Sequence, residues 1–425
     1  MKKKVIIIGA GFAGIQLARN IDSDLFDVLL IDKINHHQFQ PLFYQVATSQ
    51  IEPSSISFPI RYVFQNKKNI EIRLAEVLGI NNEKKLINTN IGDFNYDVLV
   101  ISIGCKTNFF GNKEIEENAF TLKSTYEAIE IRNHILKTFE DIISADGIEK
   151  EYLQNLVIVG AGPTGVELAG AFSEIRKYNL PKDYPNIDFS KFNIMLVEGS
   201  KNTLNNMSEN SKKVSEKYLR EMGVILYKET YVKNYDGFNL TLSTGEIIKT
   251  KTVIWAAGVT GNTLNGLAKE VYTAGNRIKV DRSNKVIGLE NIYAIGDIAS
   301  METPLYPTGH PQVANVAINQ AKNLASNLTA ISKNKVQKEF EYKDLGAMAT
   351  VGRNKAVVDI GTIRMKGYFA WLIWMFLHLM LILSVKNKLI IFINWAWAYV
   401  TKNSSLRLIL TASSQAEKKE KGLDD

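Results

Sequence analysis

The sequence contains the same local pattern twice, and this repeat limits the fold more than any other feature. In the first copy the apolar run Val5–Ile8 precedes the motif Gly9-Ala10-Gly11-Phe12-Ala13-Gly14. A helical stretch follows, then a second apolar run, Val28–Ile31, which ends on Asp32. Glycines permit a tight turn and let the backbone approach a pyrophosphate at a helix N-terminus, while the acid accepts hydrogen bonds from a ribose. Strand, motif, helix, strand and acid in this order predict a dinucleotide-binding unit.

The second copy starts at Leu156–Val159 and continues through Gly160-Ala161-Gly162-Pro163-Thr164-Gly165 to the apolar run Ile194–Val197 and Glu198. One dinucleotide needs one such unit, so two units imply two dinucleotides. A carboxylate at Glu198 accepts a hydrogen bond from a free 2′-hydroxyl and repels a 2′-phosphate, which favours NADH over NADPH. Lys201, which lies close by in the sequence, would soften that preference.

Three further apolar runs end on residues suited to cofactor contacts: Val98–Ile101, Val253–Trp255 and Ile292–Ile295. The last runs into Gly296 and Asp297, and a carboxylate there can bind the ribityl hydroxyls of a flavin. The same carboxylate would also suit a helix N-cap. Further cofactor contacts are predicted at Lys33, Gly104, Ala257 and Gly258.

Composition indicates an ordinary globular protein of more than one domain. The chain has 425 residues, 45% of them hydrophobic and 22% charged, which suggests two or three domains. A net charge of +7 would suit an anionic partner such as a membrane surface, but no nucleic-acid-binding motif accompanies it, so nucleic acid is not expected. The single cysteine, Cys105, forms no disulfide within the chain, which favours a reducing compartment, and we interpret it as a packed thiol.

Together these residues resemble the two-dinucleotide-binding flavoproteins over about residues 1–330. The resemblance implies an FAD-binding domain formed by 1–115 and 275–330, an inserted NADH-binding domain at 116–274 and a C-terminal region at 331–425. The expected fold class is therefore α/β, with two Rossmann-like domains, the FAD domain being discontinuous, and a C-terminal membrane-anchoring helical segment. Members that use thiol chemistry need cysteines that this chain lacks, so that chemistry is excluded.

A closer resemblance is to the type II NADH dehydrogenases, which are single-subunit NADH:quinone reductases that pump no protons. Four stretches carry it: Gln40–Ala47, Gly162–Ala169, Trp255–Val259 and the helix from Pro311. The resemblance implies tightly bound, non-covalent FAD, NADH as substrate and a membrane quinone as acceptor, with no metal. It also places Glu167 near the nicotinamide and quinone sites, although an acid in the first turn of a helix equally fits the helix dipole.

The helix from Pro311 departs from the family, which lines its quinone pocket with two glutamines. Asn315 and Asn319 stand in their place, four residues apart and so on one helix face, each one methylene shorter than glutamine. A proline at the helix start is expected to leave the amides of Val313 and Ala314 free, at a terminus that can stabilise a negatively charged flavin. We therefore predict Glu167, Asn315 and Asn319 as catalytic residues and Val313 and Ala314 as cofactor contacts.

After residue 367 the sequence becomes strongly apolar. The run Phe369–Val385 is followed by two lysines and a second run, Leu389–Val400. At ~1.5 Å per residue the first run would extend roughly 25 Å, short of a bilayer core of ~30 Å. His378 would also be costly at the bilayer centre. The pattern favours a monotopic anchor of two helices with tryptophan and tyrosine at the headgroup level, over a transmembrane span or a buried core helix.

The sequence thus predicts FAD-dependent oxidation of NADH and two-electron transfer to a membrane quinone, as part of respiratory electron transport at the cytoplasmic face of the cell inner membrane. Two alternatives stay open: a reductase of a protein acceptor such as ferredoxin or rubredoxin, and a non-catalytic NADH-sensing or assembly protein. The sequence also leaves open whether the chain forms a homodimer and whether the quinone is menaquinone or ubiquinone. The charged tail at 417–421 is expected to be a solvated end.

Overall fold

A computed structural model describes residues 2–403 and 406–410, so the charged tail at 417–421 lies outside the described residues. The helices are α1 (Phe12–Asn20), α2 (Phe43–Ala47), α3 (Ile60–Val63), α4 (Lys113–Asn118), α5 (Thr125–Ser144), α6 (Gly147–Leu153), α7 (Pro163–Glu174), α8 (Leu180–Asp183), α9 (Glu209–Glu221), α10 (Ala314–Ser332), α11 (Tyr368–Leu381) and α12 (Val385–Thr401). The strands are β1 (Lys3–Ile8), β2 (Phe26–Asp32), β3 (His36–Gln38), β4 (Ser57–Pro59), β5 (Ile70–Leu74), β6 (Val77–Asn81), β7 (Leu86–Thr89), β8 (Gly92–Asn95), β9 (Val98–Ile101), β10 (Cys105–Thr107), β11 (Asn155–Val159), β12 (Asn193–Val197), β13 (Val224–Tyr227), β14 (Val232–Tyr235), β15 (Asn239–Leu242), β16 (Ile247–Lys249), β17 (Thr252–Trp255), β18 (Val259–Gly261), β19 (Ile278–Val280), β20 (Ile292–Ala294), β21 (Ala299–Met301), β22 (Ala347–Gly352), β23 (Lys355–Ile360) and β24 (Ile363–Lys366).

The chain divides into two compact units, each assembled from separate stretches. The first unit comprises the chain up to Gln38, Ser57–Asn108 and Val259–Asp344; the second comprises Phe39–Ile56, Phe109–Gly258 and the described chain from Leu345 on. The divisions fall near 108 and 258, not at the predicted 115 and 274. The stretch Phe39–Ile56 and the C-terminal region join the second unit, because their side chains pack on it rather than form a separate body.

The first unit is built around a parallel sheet in the order β20-β9-β1-β2-β5. Both faces of this sheet are covered, which explains why β1 is an uninterrupted apolar run. Val5 and Ile7 pack in one core with α1 and α10, while Ile6 and Ile8 point into a second core on the opposite face. The glycine turn of the first motif therefore follows directly on the buried end of β1.

The second unit repeats this arrangement with a parallel sheet in the order β13-β12-β11-β17. Its central strand β11 pairs in parallel with β12 on one side and β17 on the other, as β1 pairs with β2 and β9 in the first unit. An antiparallel sheet, β14-β15-β16, belongs to the same unit. The predicted α/β class with two Rossmann-like domains and a discontinuous first domain is confirmed.

The C-terminal region adds the antiparallel sheet β22-β23-β24 to the second unit and then continues into α11 and α12. Strand β22 lies directly on helix α7. At the contact, a Cβ placed on Gly170 would be 1.6 Å from the carbonyl oxygen of Val351. Only glycine fits there, and its absence of a side chain lets helix and strand backbones touch.

The strongly apolar segment forms two helices, as predicted, but the break between them comes earlier than the two lysines suggest. The first helix ends at Leu381, and the second begins at Val385 because the Ser384 side chain accepts a hydrogen bond from the Asn387 N–H and caps it. Lys386 and Lys388 therefore lie in the first turn of α12. Within residues 2–403 and 406–410, none of the helices combines the length and apolarity that crossing a membrane requires.

Replacing Gly170 by alanine is expected to lower the free energy of unfolding by about 1–3 kcal/mol, because the added methyl group displaces the β22 backbone. Denaturant unfolding of the full chain in detergent measures this change. Gly275→Ala is the matched control, since its added Cβ would meet only the Thr273 hydroxyl, at 3.9 Å. An unchanged unfolding midpoint in Gly170→Ala would contradict the close approach.

Candidate functional site

The glycine turn of the first unit has the shape that a dinucleotide pyrophosphate needs. Gly9 has a φ of +98°, in the region that favours glycine, and a Cβ on Gly14 would lie 1.9 Å from the Gly9 carbonyl oxygen. A Cβ on Gly11, in contrast, would have nothing within 4 Å. Two glycines thus make the turn, and the third leaves open space directly before α1. The residues present fit the FAD that the sequence predicts at this turn.

The acid that ends β2 is held against this turn. Asp32 accepts hydrogen bonds from the N–H of Ala10 at 2.6 Å and the N–H of Ile34 at 2.9 Å. Burial raises the pKa of Asp32, and these backbone donors oppose the shift. The neighbouring Lys33 points away from the acid to form an ion pair with Glu76 at 2.6 Å. Ribose binding by Asp32 and a cofactor contact by Lys33 stay predictions.

The second unit builds its glycine turn in the same way. Gly160 has a φ of +101°, and a Cβ on Gly165 would lie 1.8 Å from the Gly160 carbonyl oxygen. A Cβ on Gly162 would again meet nothing within 4 Å, so the open space lies at the equivalent place before α7. The match between the two turns supports one dinucleotide in each unit.

The second acid also repeats the first. Glu198 accepts hydrogen bonds from the N–H of Ala161 at 2.6 Å and from the N–H of Ser200 at 2.8 Å. Beside this turn, the loop after β17 contains the predicted contacts Ala257 and Gly258. Gly258 has a φ of +79°, and the Ala257 carbonyl accepts a hydrogen bond from the Trp255 indole at 3.0 Å. Glu198 is therefore fixed at the edge of the open space before α7.

In the first unit the predicted flavin-binding segment follows β20. Gly296 has a φ of +77°, and its N–H donates to the side-chain oxygen of Gln320 on α10 at 2.8 Å. The Asp297 carbonyl accepts hydrogen bonds from the Gln312 amide at 3.2 Å and the Cys105 thiol at 3.4 Å. These bonds fix the Asp297 backbone and support the interpretation of Cys105 as a packed thiol. Binding of a ribityl chain by the Asp297 carboxylate stays a prediction.

Gly104, Val313 and Ala314 are the other predicted cofactor contacts of the first unit. Gly104 has a φ of +63°, and an added Cβ would meet nothing within 4 Å, so it leaves open space as Gly11 does. The prediction of a free amide at Val313 is wrong, because α10 begins at Ala314 rather than at Pro311. The Val313 N–H donates to the Pro311 carbonyl at 3.1 Å. Ala314 is the first residue of the helix, and its cofactor contact stays a prediction.

The two asparagines lie in the first two turns of α10 in the first unit. They share one face as predicted, and the Asn319 amide donates to the Asn315 carbonyl at 2.8 Å. One amide proton of Asn319 is thus used within the helix, while its oxygen is left for other contacts. A role for either residue in quinone binding stays a prediction.

Glu167 lines a cavity that lies wholly within the second unit. The space open to the centres of water molecules measures about 130 Å³. Its walls come from α2, α7, the turn after β22, α11 and α12, with side chains that include Tyr44, Gln45, Glu167, Glu174, Arg353, Trp371, Trp374, Trp395, Tyr399 and Lys402. Glu167, which the family resemblance predicts as a site residue, therefore lines the same cavity as the apolar C-terminal helices.

Burial favours the protonated form of the Glu167 carboxyl. It is only 8% exposed, and burial raises its pKa to about 8. The Thr350 N–H donates to it at 3.3 Å, which lowers the pKa only in part. A neutral carboxyl group both donates and accepts hydrogen bonds, so Glu167 can present a proton to a group inside the cavity.

Aromatic side chains of α11 and α12 form one wall of the cavity, and hydrogen bonds connect this wall to α2. The Trp395 indole donates to the Gln45 side-chain oxygen at 2.8 Å, and the Gln45 amide donates to the Tyr44 hydroxyl at 3.0 Å. The Trp374 ring lies 6.3 Å from Tyr44 and 5.9 Å from Trp395, measured between ring centres, and His378 stacks on it at 4.1 Å. His378 is therefore packed within the protein, which removes the cost assigned to it at a bilayer centre.

Sequence reasoning missed several of these residues. Gln45 lies in the Gln40–Ala47 stretch that carries the family resemblance, but its bond to Trp395 joins positions 350 residues apart, which no local pattern reveals. Glu174, seven residues after Glu167, had a visible signal: the two acids lie on either side of the apolar stretch Leu168–Phe172 of one helix and share a face. Its carboxylate oxygen accepts a hydrogen bond from the Arg353 N–H at 2.5 Å.

Comparison with known proteins identifies the family. Residues 3–321 match the family of pyridine nucleotide-disulphide oxidoreductases, and residues 345–410 match the NDH2 C-terminal domain. The chain is 33% identical to a type II NADH:quinone oxidoreductase of Mycobacterium tuberculosis, in an alignment that covers 97% of this chain and 91% of that protein. This chain belongs to the type II NADH:quinone oxidoreductases. The resemblance drawn from its motifs is confirmed, and with it FAD as the cofactor of the enzyme.

More distant relatives agree. The enzyme is 28% identical to the external NADH-ubiquinone oxidoreductase 2 of Saccharomyces cerevisiae mitochondria, over 94% of this chain and 81% of that one. NDH2 of Plasmodium falciparum, solved in complex with NADH, has the same fold, with a TM-score of 0.88 at 22% identity over 97% of this chain and all of that chain. The two-unit architecture is therefore that of the family.

Paired alanine substitutions at the two open glycines are expected to separate the cofactor sites. Gly11→Ala should fold but purify with little FAD, because its methyl group occupies the space before α1. Gly162→Ala should keep FAD and raise the Kd for NADH about tenfold or more, equivalent to ~1.4 kcal/mol. Flavin absorbance per protein and NADH titration measure the two effects. Full FAD in Gly11→Ala, or unchanged NADH binding in Gly162→Ala, would contradict the assignment.

Proposed function

We propose that the enzyme oxidises NADH and transfers two electrons to a membrane quinone whose ring binds in the cavity of the second unit. FAD, when bound, accepts hydride from NADH and passes electron pairs to the quinone. The observation that carries the proposal is the cavity itself, in which a protonated buried carboxyl group faces aromatic side chains of the C-terminal apolar helices. In the proposed reaction the enzyme pumps no protons across the membrane.

The first glycine turn is assigned to FAD and the second to NADH. Each turn leaves space for a pyrophosphate and places an acid at the edge of that space, so each holds one dinucleotide in a fixed orientation. The Glu198 carboxylate favours NADH by accepting from a free 2′-hydroxyl. FAD is assigned to Gly9, Gly11, Gly14, Asp32, Gly296 and Asp297, and NADH to Gly160, Gly162, Gly165, Glu198, Ala257 and Gly258.

The cavity matches the chemistry of a quinone ring. Flat aromatic walls from Trp374 and Trp395 suit a planar apolar ring. The protonated Glu167 can donate a hydrogen bond to a quinone carbonyl, and it holds a proton where the quinone oxygen needs one. A charged carboxylate at the same place would repel the electron-rich reduced ring. We therefore assign Glu167 as the catalytic acid of quinone reduction, while a catalytic role of Asn315 and Asn319, on α10 of the first unit, stays a prediction.

The outer faces of α11 and α12 suit a lipid surface. Apolar side chains along both helices stand exposed to solvent, an arrangement that marks an interaction site: Phe369, Leu372, Phe376, Met380, Leu389, Phe392, Ile393, Trp397 and Val400. Lys386 and Lys388, at the start of α12, can meet anionic headgroups. We propose that the helices lie in one leaflet at the cytoplasmic face, where NADH is present, so that a quinone reaches the cavity without leaving the lipid.

Anaerobic half-reactions test the function directly. NADH should bleach the flavin absorbance of the detergent-purified enzyme, and a menaquinone or ubiquinone analogue should restore it. Bleaching without recovery on quinone would reject a quinone acceptor and favour a protein acceptor. A preparation without flavin absorbance would reject the proposal altogether.

Glu167→Gln should slow quinone reduction about 100-fold while leaving flavin bleaching by NADH unchanged, because the amide keeps the shape but transfers no proton. The wild-type quinone step should fall as the pH rises through about 8, since the raised pKa keeps Glu167 protonated only below that value. Stopped-flow rates of the two half-reactions across this pH range measure both effects. A Glu167→Gln enzyme with wild-type quinone kinetics would remove Glu167 from the step.

Charges on the exposed apolar faces should release the enzyme from lipid. Phe376→Glu combined with Phe392→Glu is expected to reduce binding to anionic vesicles about tenfold or more, since it places two carboxylates against the headgroup region. Vesicle co-sedimentation measures this, and NADH bleaching of the flavin should persist. Ile247→Glu, at a residue that is 59% exposed on β16, is the matched control and should bind like wild type.

A further inference from the structure

Helix α7 carries two acids that face the same cavity on either side of Gly170. Glu167 lies one turn before Gly170, and Glu174 lies one turn after it. Glu167 accepts a hydrogen bond from the Thr350 N–H of β22, the strand that crosses the helix there, and Glu174 accepts one from the Arg353 N–H in the turn directly after β22. The proposed function uses only the first acid.

The two acids differ in their access to water. Glu167 is buried, whereas Glu174 is partly exposed and also lines a second, larger cleft of about 970 Å³ in the same unit. Exposed side chains of Lys177, Asp188 and Glu221 line this cleft, so it is open to solvent. Glu174 therefore lies where the solvent cleft and the quinone cavity meet.

The overall reaction requires a proton from that solvent. In NADH + H⁺ + quinone → NAD⁺ + quinol, the hydride supplies two electrons and one proton, and the quinol takes up two electrons and two protons. One proton per turnover must therefore come from water. A buried Glu167 that gives its proton to the quinone has to be reprotonated before the next turnover.

We propose that Glu174 relays this proton from the solvent cleft to Glu167. The inference rests on the proposed function, since it needs the quinone ring at Glu167. Seven residues separate the acids, about 10 Å along the helix, so water must carry the proton between them. One water needs about 10–15 Å³ of such space, and the cavity offers about 130 Å³, so several waters fit.

The surroundings of Glu174 suit an acid that both takes up and releases a proton. Burial raises its pKa, while the Arg353 N–H and the charges of Arg353 and Lys355 lower it. The Arg353 guanidinium stacks over the Tyr399 ring at 4.0 Å, which keeps it beside the cavity. The other titratable groups that face the cavity are Tyr44 on α2, Tyr178 after α7, Lys402 after α12 and Arg407 beyond it.

Glu174→Gln tests the relay, because glutamine still accepts the Arg353 N–H bond but carries no proton. Flavin bleaching by NADH and the KM for quinone should stay at wild-type values, while kcat with quinone should fall about tenfold or more. The loss should grow with pH, and the solvent deuterium isotope effect on kcat should rise. Glu221→Gln makes the same chemical change in the solvent cleft and should leave kcat unchanged.

Glu174→Asp separates a relay from a structural role. Aspartate keeps a titrating group but is too short to hold the Arg353 bond, so a relay predicts more activity above pH 7 for Glu174→Asp than for Glu174→Gln. The opposite order, or a wild-type pH profile in Glu174→Gln, would overturn the relay. Loss of an infrared carboxylic-acid band on going from wild type to Glu174→Gln is the expected signature independent of turnover. Failure of the wild-type enzyme itself to reduce quinone would overturn the proposed function instead.

Discussion

The contact between Gly170 and the Val351 carbonyl is the constraint on which the rest of the second unit depends. Because Gly170 has no side chain, β22 lies on the backbone of α7, and the N–H groups of this strand and of the turn after it reach both flanking acids. From β22 the chain continues through β23 and β24 into α11 and α12, which close the cavity over Glu167. A larger residue at 170 would lift the strand, and with it the wall of the cavity and the hydrogen bonds to the acids.

The glycine turns and the cavity around Glu167 are built in different ways. The glycine turns use backbone geometry alone to make room for a dinucleotide, so they need no side chain beyond one acid each. The cavity differs, since its walls are side chains brought together from α2, α7, α11 and α12. One chain thus combines two local binding motifs with one site assembled by long-range contacts.

This difference explains how much the sequence could predict. The strands, glycine turns and acids of both units follow from local patterns, and so does the pair of apolar helices. The family resemblance identified Glu167, but Gln45 and Trp395, which line the same cavity, lie 350 residues apart and meet only through tertiary packing. The free amide at Val313 was a wrong prediction, because proline at 311 marks a turn before α10 rather than its first residue. The C-terminal region belongs to the second unit, which no local pattern indicates, because its strands pack on α7.

Burial of Glu167 also links docking of the C-terminal strands to acidity. Without those strands on α7, this carboxyl would be open to water, with an ordinary pKa near 4.5, and would be ionised at neutral pH. After docking its pKa is about 8, so docking takes up a proton and is opposed as the pH rises. The cavity therefore closes over Glu167 more readily at lower pH.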